Sequence, residues 1–317
     1  IDIWKRKLDW IAARGGMADR VPLLVVGAGP AGIAASLEAR RQGQRHLVVG
    51  REPAGGLLPA ARLIENLPGW PGGVTGTALA RRLARQAAAL GLPIVRDEVI
   101  SLERAGKGFL AKLASGRLVA AGAVVIATGT VPRQWGVAGA DAAAAAGLLH
   151  RDVRTIPRRL AGRRVAVVGG GDAAFDSALT VADRGGSALI LIRARGPSAC
   201  PRLIERCRDA GIRIRTGMAV REIETSARGV RLRPCCGPVD QVIACIGRAP
   251  DDSLIRAMGI EARLIHGPAT AIPGLFAAGD LVAGQDRYVA PAMGSGTRAA
   301  IAAQDCLSTG TRCRPRR

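Results

Sequence analysis

Aromatic side chains are scarce in this sequence, and lysine is almost absent. Only 3% of the 317 residues are Phe, Trp or Tyr, and Tyr288 is the single tyrosine. Lys and Arg number 46 against 25 Asp and Glu, giving a formal charge of +21, but few rings lie among them to stack on bases. The composition therefore argues against nucleic acid as a partner. Two interpretations of the charge remain: a solvated arginine-rich surface, or attraction of an acidic partner.

The sequence also lacks a dithiol motif. No two of its seven cysteines have C-x-x-C spacing, and their odd number forms no disulfide framework. In a chain of this length, that favours reduced thiols and hence a cytoplasmic protein. We predict no metal site. The adjacent Cys235 and Cys236, in RPCCGPVD, are expected to be thiols in a hairpin rather than a vicinal disulfide.

No unbroken hydrophobic run is long enough to cross a membrane. The longest apolar stretch, VPLLVVGAGPAGIAASLEA, is interrupted by Pro22, three glycines and Pro30, whereas a membrane helix needs about 20 continuous apolar residues. A strand, a tight turn and the start of a helix explain this stretch better. With 48% hydrophobic residues and 42 glycines, the chain has the composition of α/β domains, and its length suits about two of them.

Residues 1–16, IDIWKRKLDWIAARGG, include no initiator methionine, whereas MADRVPLLVVG from Met17 has the pattern of a natural domain start. We expect an N-terminal extension or the edge of a fragment here. Two alternatives stay open: a short helix packed on the protein, or an anchor at a membrane surface. The acidic residues in this stretch weaken the second alternative.

The first glycine motif lies in LLVVGAGPAGIAASLEARRQG, where Gly27-x-Gly29-x-x-Gly32 joins an apolar strand to a small-residue helix. That spacing lets the backbone approach a pyrophosphate at the helix N-terminus. After the next strand, RHLVVG, an acid would normally bind a ribose hydroxyl. Gly50 occupies the usual position, and Glu52 is the nearest carboxylate.

A second motif follows in RRVAVVGGGDAAFDSALTVADRGG, where Gly169-x-Gly171-x-x-Ala174 again joins a strand to a helix. The next strand, SALILIRARG, ends in Arg193 and Arg195 instead of an acid. Two guanidinium groups at that point suit the 2′-phosphate of NADPH. NADH stays open, because exposed arginines are common in this arginine-rich chain.

The remaining strand patterns indicate that one domain is inserted in the other. GAVVIATGTVPR precedes the second motif, DQVIACIGRAPD follows it, and both end in glycine and proline as crossings between domains do. PGLFAAGD and the helix SGTRAAIAAQDCL then complete the first domain. We predict an α/β fold with two Rossmann-like dinucleotide-binding domains of three layers (ββα), a first formed by 17–132 and 249–317 and a second formed by 133–248.

The order GxGxxG, ATG, GxGxxA and AGD resembles flavoproteins with two dinucleotide-binding domains, the first for FAD and the second for NAD(P)H. Four motifs in this order cover nearly the whole chain, from Leu23 to Leu307. The chain length and ENLPGWPGG are most similar to thioredoxin reductases. The resemblance implies NADPH contacts at Gly169, Gly171, Asp172, Ala174, Arg193 and Arg195. It implies FAD contacts, with Asp280 at the ribityl chain, at Gly27, Gly29, Pro30, Ala31, Gly32, Glu52, Gly56, Leu57, Asn66, Val99, Thr128, Gly129, Gly279, Asp280 and Tyr288.

Several positions depart from that family. Leu57 replaces a glutamine, and Arg287-Tyr288 replaces an arginine–glutamine pair, so the polar surroundings of the flavin should differ. The family's arginine cluster is reduced, and Arg202 is a candidate for its third member.

The main departure lies in GLLHRDVRTIPRRLAG. The two cysteine positions of thioredoxin reductases fall here at about Asp152 and Thr155. The stretch is similar to the thioredoxin-reductase-like ferredoxin/flavodoxin–NADP reductases, which also lack the pair and share an aspartate at Asp176. Those reductases usually carry a longer tail with a flavin-stacking aromatic, which is not found after Leu307.

The function expected from the resemblance is transfer of a hydride from NADPH or NADH to FAD, then of electrons directly to an external acceptor. An acidic ferredoxin or flavodoxin is the favoured acceptor, because the chain is basic. The alternatives are a quinone, disulfide or metal-chelate acceptor, thioredoxin reductase activity, and a flavin-bound regulatory role. No catalytic side chain is predicted, since hydride transfer needs positioning above all. His150 and Asp152 could relay protons or lie in a linker without a role. Similar flavoproteins imply a homodimer.

Overall fold

A computed structural model of the chain describes residues 19–226, 229–261 and 268–309. The expected N-terminal extension, residues 1–16, lies outside them. The strands, in chain order, are β1 (Asp19–Val26), β2 (His46–Gly50), β3 (Ile94–Arg96), β4 (Val99–Ala105), β5 (Gly108–Leu113), β6 (Leu118–Ile126), β7 (Thr130–Pro132), β8 (Leu149–His150), β9 (Arg164–Val168), β10 (Ser187–Leu191), β11 (Arg213–Arg215), β12 (Glu222–Ser226), β13 (Gly229–Arg233), β14 (Cys236–Val239), β15 (Gln241–Ala244), β16 (Arg248–Pro250) and β17 (Leu275–Ala277).

Seven α-helices are found in these ranges, together with short 3-10 turns at Leu58–Ala60, Val153–Thr155 and Gly279–Leu281. The helices are α1 (Pro30–Arg41), α2 (Gly76–Ala89), α3 (Ala140–Ala145), α4 (Asp172–Asp183), α5 (Pro201–Asp209), α6 (Ser253–Arg256) and α7 (Val289–Thr309).

The first unit is built on a seven-stranded sheet of order β3-β2-β1-β6-β5-β4, with β17 also paired to β6. Strands β1, β2, β3, β6 and β17 are parallel. Parallel strands buried on both faces need continuous apolar sequence, and in β1 the four residues 23–26 supply it. Leu23 and Val25 face α1 and α7, whereas Leu24 and Val26 face Phe109 and other residues of β4 and β5.

The second unit repeats this plan around a five-stranded parallel sheet of order β11-β10-β9-β15-β8. On one face, Val165 and Val167 of β9 pack against Phe175 in α4. On the other face, Ala166 and Val168 pack against the antiparallel sheet β12-β13-β14. Helix, parallel sheet and antiparallel strands thus form three layers in each unit.

The chain enters and leaves the second unit side by side. Strands β7 and β16 pair antiparallel, with Thr130 opposite Pro250 and Pro132 opposite Arg248. After β16, the chain returns to the first sheet through β17 and closes on α1 with α7. The predicted fold class is confirmed: two Rossmann-like units, one inserted in the other.

The described cysteines agree in part with the sequence-based expectation. Cys200, Cys207, Cys235, Cys236 and Cys245 are free thiols, and Cys236 begins β14 just after the turn of a hairpin with β13. Cys306, in contrast, is disulfide-bonded, so the expectation of reduced thiols is wrong for that residue. In the ranges the structure describes, no helix combines the length and apolar character needed to span a bilayer.

Candidate functional site

The first glycine turn connects β1 to α1. Gly27 has φ +113°, and a Cβ there would lie 2.2 Å from the Ala127 carbonyl oxygen. A Cβ on Gly32 would lie 1.8 Å from the Gly27 oxygen. At Gly29, the helix N-cap, a Cβ would meet nothing within 4 Å. Two glycines therefore permit the tight turn, and the third leaves open space before the helix N-terminus, where an anion binds well.

The region after β2 lies against this turn. A Cβ on Gly50 would lie 2.7 Å from that of Ala28, so an acid at this usual ribose-binding position would collide with the turn. A Cβ on Gly56 would lie 3.1 Å from Gly29 Cα. Leu57 then precedes the 3-10 turn Leu58–Ala60. Glu52 is more than half exposed and lies 3.8 Å from the Arg154 guanidinium.

Gly279 and Asp280 close the other side of the turn. A Cβ on Gly279 would lie 2.8 Å from that of Ala31, and the Gly279 N–H donates to Ser295 Oγ at 2.8 Å. Burial raises the pKa of Asp280, although the positive charges of Arg287 and Arg248 oppose that rise. Within the described residues the Asp280 carboxylate has charged neighbours but no hydrogen bond, so it can accept one from a ligand.

Four other predicted FAD positions, Thr128, Gly129, Val99 and Asn66, differ in their contacts and burial. Thr128 Oγ1 donates to the Asp251 carbonyl oxygen at 2.7 Å, and the Asp251 N–H donates to the Gly129 oxygen at 2.9 Å. These bonds join the two crossing segments. The Val99 side chain is buried in the first core, so only its backbone is available to a ligand. Asn66 lines a cavity of about 440 Å³ next to Trp70.

The second glycine turn connects β9 to α4. Gly169 has φ +150°, and a Cβ there would lie 2.2 Å from the Cys245 oxygen. At Gly171, the N-cap of α4, the nearest atom to a Cβ is Ser198 Oγ at 3.8 Å. Ala174 is fully buried beneath the turn. The Asp172 carboxylate accepts the Cys200 N–H at 2.7 Å, so it holds the start of α5 against this turn.

The two arginines after β10 are free to bind a ligand. Arg193 and Arg195 are exposed, and neither forms an ion pair or hydrogen bond with another described residue. Arg202, the suggested third member of the cluster, is exposed, and its Nε lies 3.6 Å from a carboxylate oxygen of Glu65 in the first unit.

The segment in which the resemblance predicts the family's cysteine positions is held by an ion pair between Asp152 and Arg154. The Asp152 carboxylate accepts the Arg154 N–H at 2.8 Å and a fork of guanidinium N–H groups at 2.8–3.0 Å. Burial opposes its ionisation, but these hydrogen bonds outweigh burial and keep the pKa of Asp152 below its usual value. Thr155 Oγ1 donates to the Asp152 carbonyl oxygen at 2.9 Å. His150 is hydrogen-bonded to Thr155 and Gln241.

Arg154 also reaches the first unit. Its Nη1 donates to the Gly56 carbonyl oxygen at 3.4 Å and lies near Glu52. The segment that carries Asp152 and Arg154 therefore contacts the loop after β2, next to the first glycine turn.

Sequence reasoning missed a half-buried arginine between the two units, Arg248. Arg248 Nε donates to Thr130 Oγ1 at 2.8 Å and its Nη2 to the Thr130 oxygen at 2.7 Å, while Arg287 donates to the Arg248 oxygen at 2.9 Å. Burial lowers the pKa of Arg248. Nothing in the sequence distinguishes Arg248 from the many exposed arginines.

The buried thiols are poorly suited to redox exchange. Burial raises the pKa of Cys207 and of Cys245 to about 11, and the pKa values of Cys235 and Cys236 are also raised by burial. Because the thiolate is the reactive form, these groups are weak nucleophiles at neutral pH. The described part of the chain contains no cluster of three His, Cys, Asp or Glu that could hold a metal ion.

Comparisons with known proteins agree with this arrangement. The chain is 31% identical over 305 residues to a bifunctional thioredoxin reductase/thioredoxin of Mycobacterium leprae, covering 90% of the chain but only 66% of that protein, just under two thirds of its length. It is 30% identical over 288 residues to a ferredoxin–NADP reductase of Ignicoccus hospitalis, covering 85% of the chain and 92% of that protein.

Solved structures show the same fold. Thioredoxin reductase of Lactococcus lactis superimposes with a TM-score of 0.83 at 23% identity, covering 91% of this chain and 99% of that one. The enzyme of T. acidophilum superimposes with a TM-score of 0.81 at 24% identity, covering 92% and 99%. The family model of the pyridine nucleotide-disulphide oxidoreductases matches residues 21–305. With both glycine turns inside that match, the chain belongs to the pyridine nucleotide-disulphide oxidoreductase family.

Proposed function

We propose that the chain is an FAD-dependent oxidoreductase that takes a hydride from NADPH, or from NADH, and passes the electrons directly to an external acceptor. FAD, when bound, would supply the chemistry, because it accepts electrons in pairs and releases them singly. Residues 17–132 and 249–317 would bind FAD, and residues 133–248 the coenzyme. The favoured acceptor is an acidic ferredoxin or flavodoxin.

The residues of the first unit fit FAD. The open space at Gly29 and the N-terminus of α1 would receive the pyrophosphate. Asp280 would accept a hydrogen bond from the ribityl chain, which would give this half-buried carboxylate the hydrogen-bond donor it otherwise lacks among the described residues. Glu52, the nearest carboxylate after β2, would bind the adenosine ribose.

The second unit would bind the nicotinamide coenzyme at Gly169 and Gly171. Arg193 and Arg195 would hold the 2′-phosphate of NADPH, since both are exposed and have no carboxylate partner in the described chain. Arg202 is the weaker candidate, because its Nε lies 3.6 Å from the Glu65 carboxylate.

Direct transfer from the flavin rests on one observation. In the segment expected to carry a thiol pair, Asp152 is ion-paired with Arg154, and Thr155 donates a hydrogen bond to the Asp152 carbonyl oxygen. No C-x-x-C occurs in the sequence. The thiols of Cys207 and Cys245 are protonated at neutral pH because burial raises their pKa to about 11. An internal dithiol relay is therefore not part of the proposal.

A protein acceptor is favoured by charge and by one relative. The net charge of +21 attracts acidic partners over long distances. The similar protein of Ignicoccus hospitalis is a ferredoxin–NADP reductase. Ferredoxin and flavodoxin are the acidic one-electron proteins that we propose for this chain.

An acceptor screen tests this function. The FAD-loaded protein is reduced anaerobically with NADPH or NADH, then mixed with ferredoxin, flavodoxin, a quinone, or thioredoxin with an aromatic disulfide. Cytochrome c reduction that depends on ferredoxin or flavodoxin supports the proposal. Reduction of the quinone alone would replace the acceptor, and thioredoxin-dependent disulfide reduction would overturn direct transfer. Failure of both coenzymes to bleach the flavin would favour a regulatory role instead.

A further inference from the structure

A short segment of the first unit, residues 62–65, lies against two helices of the second. The Arg62 backbone N–H donates to Asp176 Oδ2 at 2.7 Å. The Arg62 side chain forms a fork with Asp183, with Nε at 2.5 Å from Oδ2 and Nη2 at 3.2 Å from Oδ1. Asp176 and Asp183 are the fifth and last residues of α4, so this segment contacts α4 in its first half and at its end.

Glu65 makes the matching contact with α5. Arg206 donates to both of its carboxylate oxygens, Nη1 to Oε2 and Nη2 to Oε1. The hydrogen bond from Arg206 holds the pKa of Glu65 below its usual value. Arg202, one turn earlier in α5, adds a second positive charge at 3.6 Å.

We name the side-chain contacts of Arg62 with Asp183 and of Glu65 with Arg206 the interunit clasp. The charges in it are reciprocal. The first unit supplies the cation Arg62 and the anion Glu65. The second unit supplies the anion Asp183 and the cation Arg206. A shifted or rotated alignment would bring like charges together, so the clasp specifies one orientation of the two units. The paired strands β7 and β16 and the contacts of Arg154 with Gly56 and Glu52 also connect the units.

The clasp contacts the elements that carry the candidate coenzyme site. Helix α4 begins at the second glycine turn, and the start of α5 is held to that turn by Asp172. In the sequence of the first unit, residues 62–65 lie between Gly56 and Asn66, which are both candidate FAD positions. Because helices are rigid, the orientation of α4 and α5 on residues 62–65 sets the distance between the two dinucleotide sites.

We propose that Arg62 and Glu65 are positioning residues, which hold the coenzyme-binding unit in the orientation that permits hydride transfer to the flavin. The inference rests on the function proposed above. Single exposed ion pairs contribute little to stability, and Asp183 is half exposed, so the clasp can open without unfolding either unit. High salt weakens such contacts, and the rate of flavin reduction should fall as salt is raised.

Charge reversal tests the clasp. Glu65→Arg and Arg206→Glu each place like charges together, whereas the double variant restores an ion pair in the opposite sense. Because small misplacements of reacting groups cost up to about a hundredfold in rate, each single variant should slow anaerobic flavin reduction by about tenfold or more. The double variant should recover most of the wild-type rate. FAD content and coenzyme affinity should stay unchanged in all three.

The control is Asp19→Arg, which breaks a more exposed ion pair with Arg117 inside the first unit. It should reduce flavin at the wild-type rate. A second readout follows proteolytic cleavage of the crossing segments β7 and β16, which should quicken in each single variant and return to the wild-type rate in the double variant.

Two results would overturn the proposal. In the first, the single variants reduce flavin and are cleaved at the wild-type rates. In the second, the double variant reduces flavin no faster than the single variants. If neither coenzyme reduces the wild-type flavin, the proposed function fails, and the cleavage rates alone then decide whether the clasp orients the units.

Discussion

The Asp152 carboxylate binds the backbone N–H and the guanidinium of Arg154, two residues later in the chain. Through Arg154, this pair also reaches the Gly56 oxygen in the other unit. The segment in which the resemblance predicts the cysteine positions thus carries a hydrogen-bonded carboxylate, and the hydrogen bonds of Asp152 hold Arg154 in place.

Two cysteines in place of Asp152 and Thr155 test whether this segment can hold a disulfide. Asp152→Cys combined with Thr155→Cys restores the C-x-x-C spacing and removes the hydrogen bonds of the carboxylate. We expect a loss of about 1–2 kcal/mol of folding free energy from the lost cap. We also expect a new pair of thiols that oxidises to a disulfide, measured by thiol titration. Persistence of two free thiols under oxidising conditions would show that positions 152 and 155 are not placed to form a disulfide. The single variant Thr155→Ser serves as the control.

The first glycine turn predicts two different effects of alanine. Gly32→Ala places a Cβ 1.8 Å from the Gly27 oxygen, so the turn must distort and FAD should be lost. Gly29→Ala meets no protein atom within 4 Å, so this variant should fold normally yet bind FAD more weakly. Absorbance of bound flavin and thermal melting measure the two properties. Gly136→Ala, also in open space, should change neither; equal FAD content in all three variants would refute this site.

Coenzyme preference depends on Arg193 and Arg195 in our account. A lost hydrogen bond to a charged group costs about 1.5–3 kcal/mol, so each alanine variant should raise the KM for NADPH by about 10- to 100-fold. The KM for NADH should change little. Arg208→Ala is the control, because it removes another exposed arginine of the second unit. An unchanged KM for NADPH in Arg193→Ala and Arg195→Ala would show that the 2′-phosphate binds elsewhere.

The free energy of unfolding should depend on pH through the ionisation of Asp176. Burial raises its pKa in the folded state, so the folded chain binds its proton more readily than the unfolded chain does. The penalty for ionising Asp176 is therefore present above the raised pKa and disappears below the unfolded value. Asp176→Asn keeps an oxygen that can accept the Arg62 N–H and removes this penalty. Its stability gain over wild type should be largest near neutral pH and shrink on acidification, as measured by denaturant unfolding. A gain that is independent of pH would contradict the assignment.

The glycine turns could be predicted because glycine itself carries the information. At Gly27 and Gly169, positive φ and close carbonyl contacts exclude other residues, and the apolar strands before them are local patterns. The clasp could not be predicted in this way. Arg62 and Asp183 are 121 residues apart, and one arginine among many gives no signal. The hydrogen bond from Thr128 to the Asp251 carbonyl oxygen, 123 residues away, likewise has no local pattern that could predict it.

The electron capacity of the protein tests the central claim most directly. FAD-loaded protein, with Cys306→Ser to remove the disulfide-bonded cysteine, is titrated anaerobically with NADPH while flavin absorbance and free thiols are followed. Our account predicts complete bleaching with one equivalent of NADPH per FAD and no new thiols, because electrons leave directly from the flavin. Uptake of a second equivalent with the appearance of two thiols would contradict it.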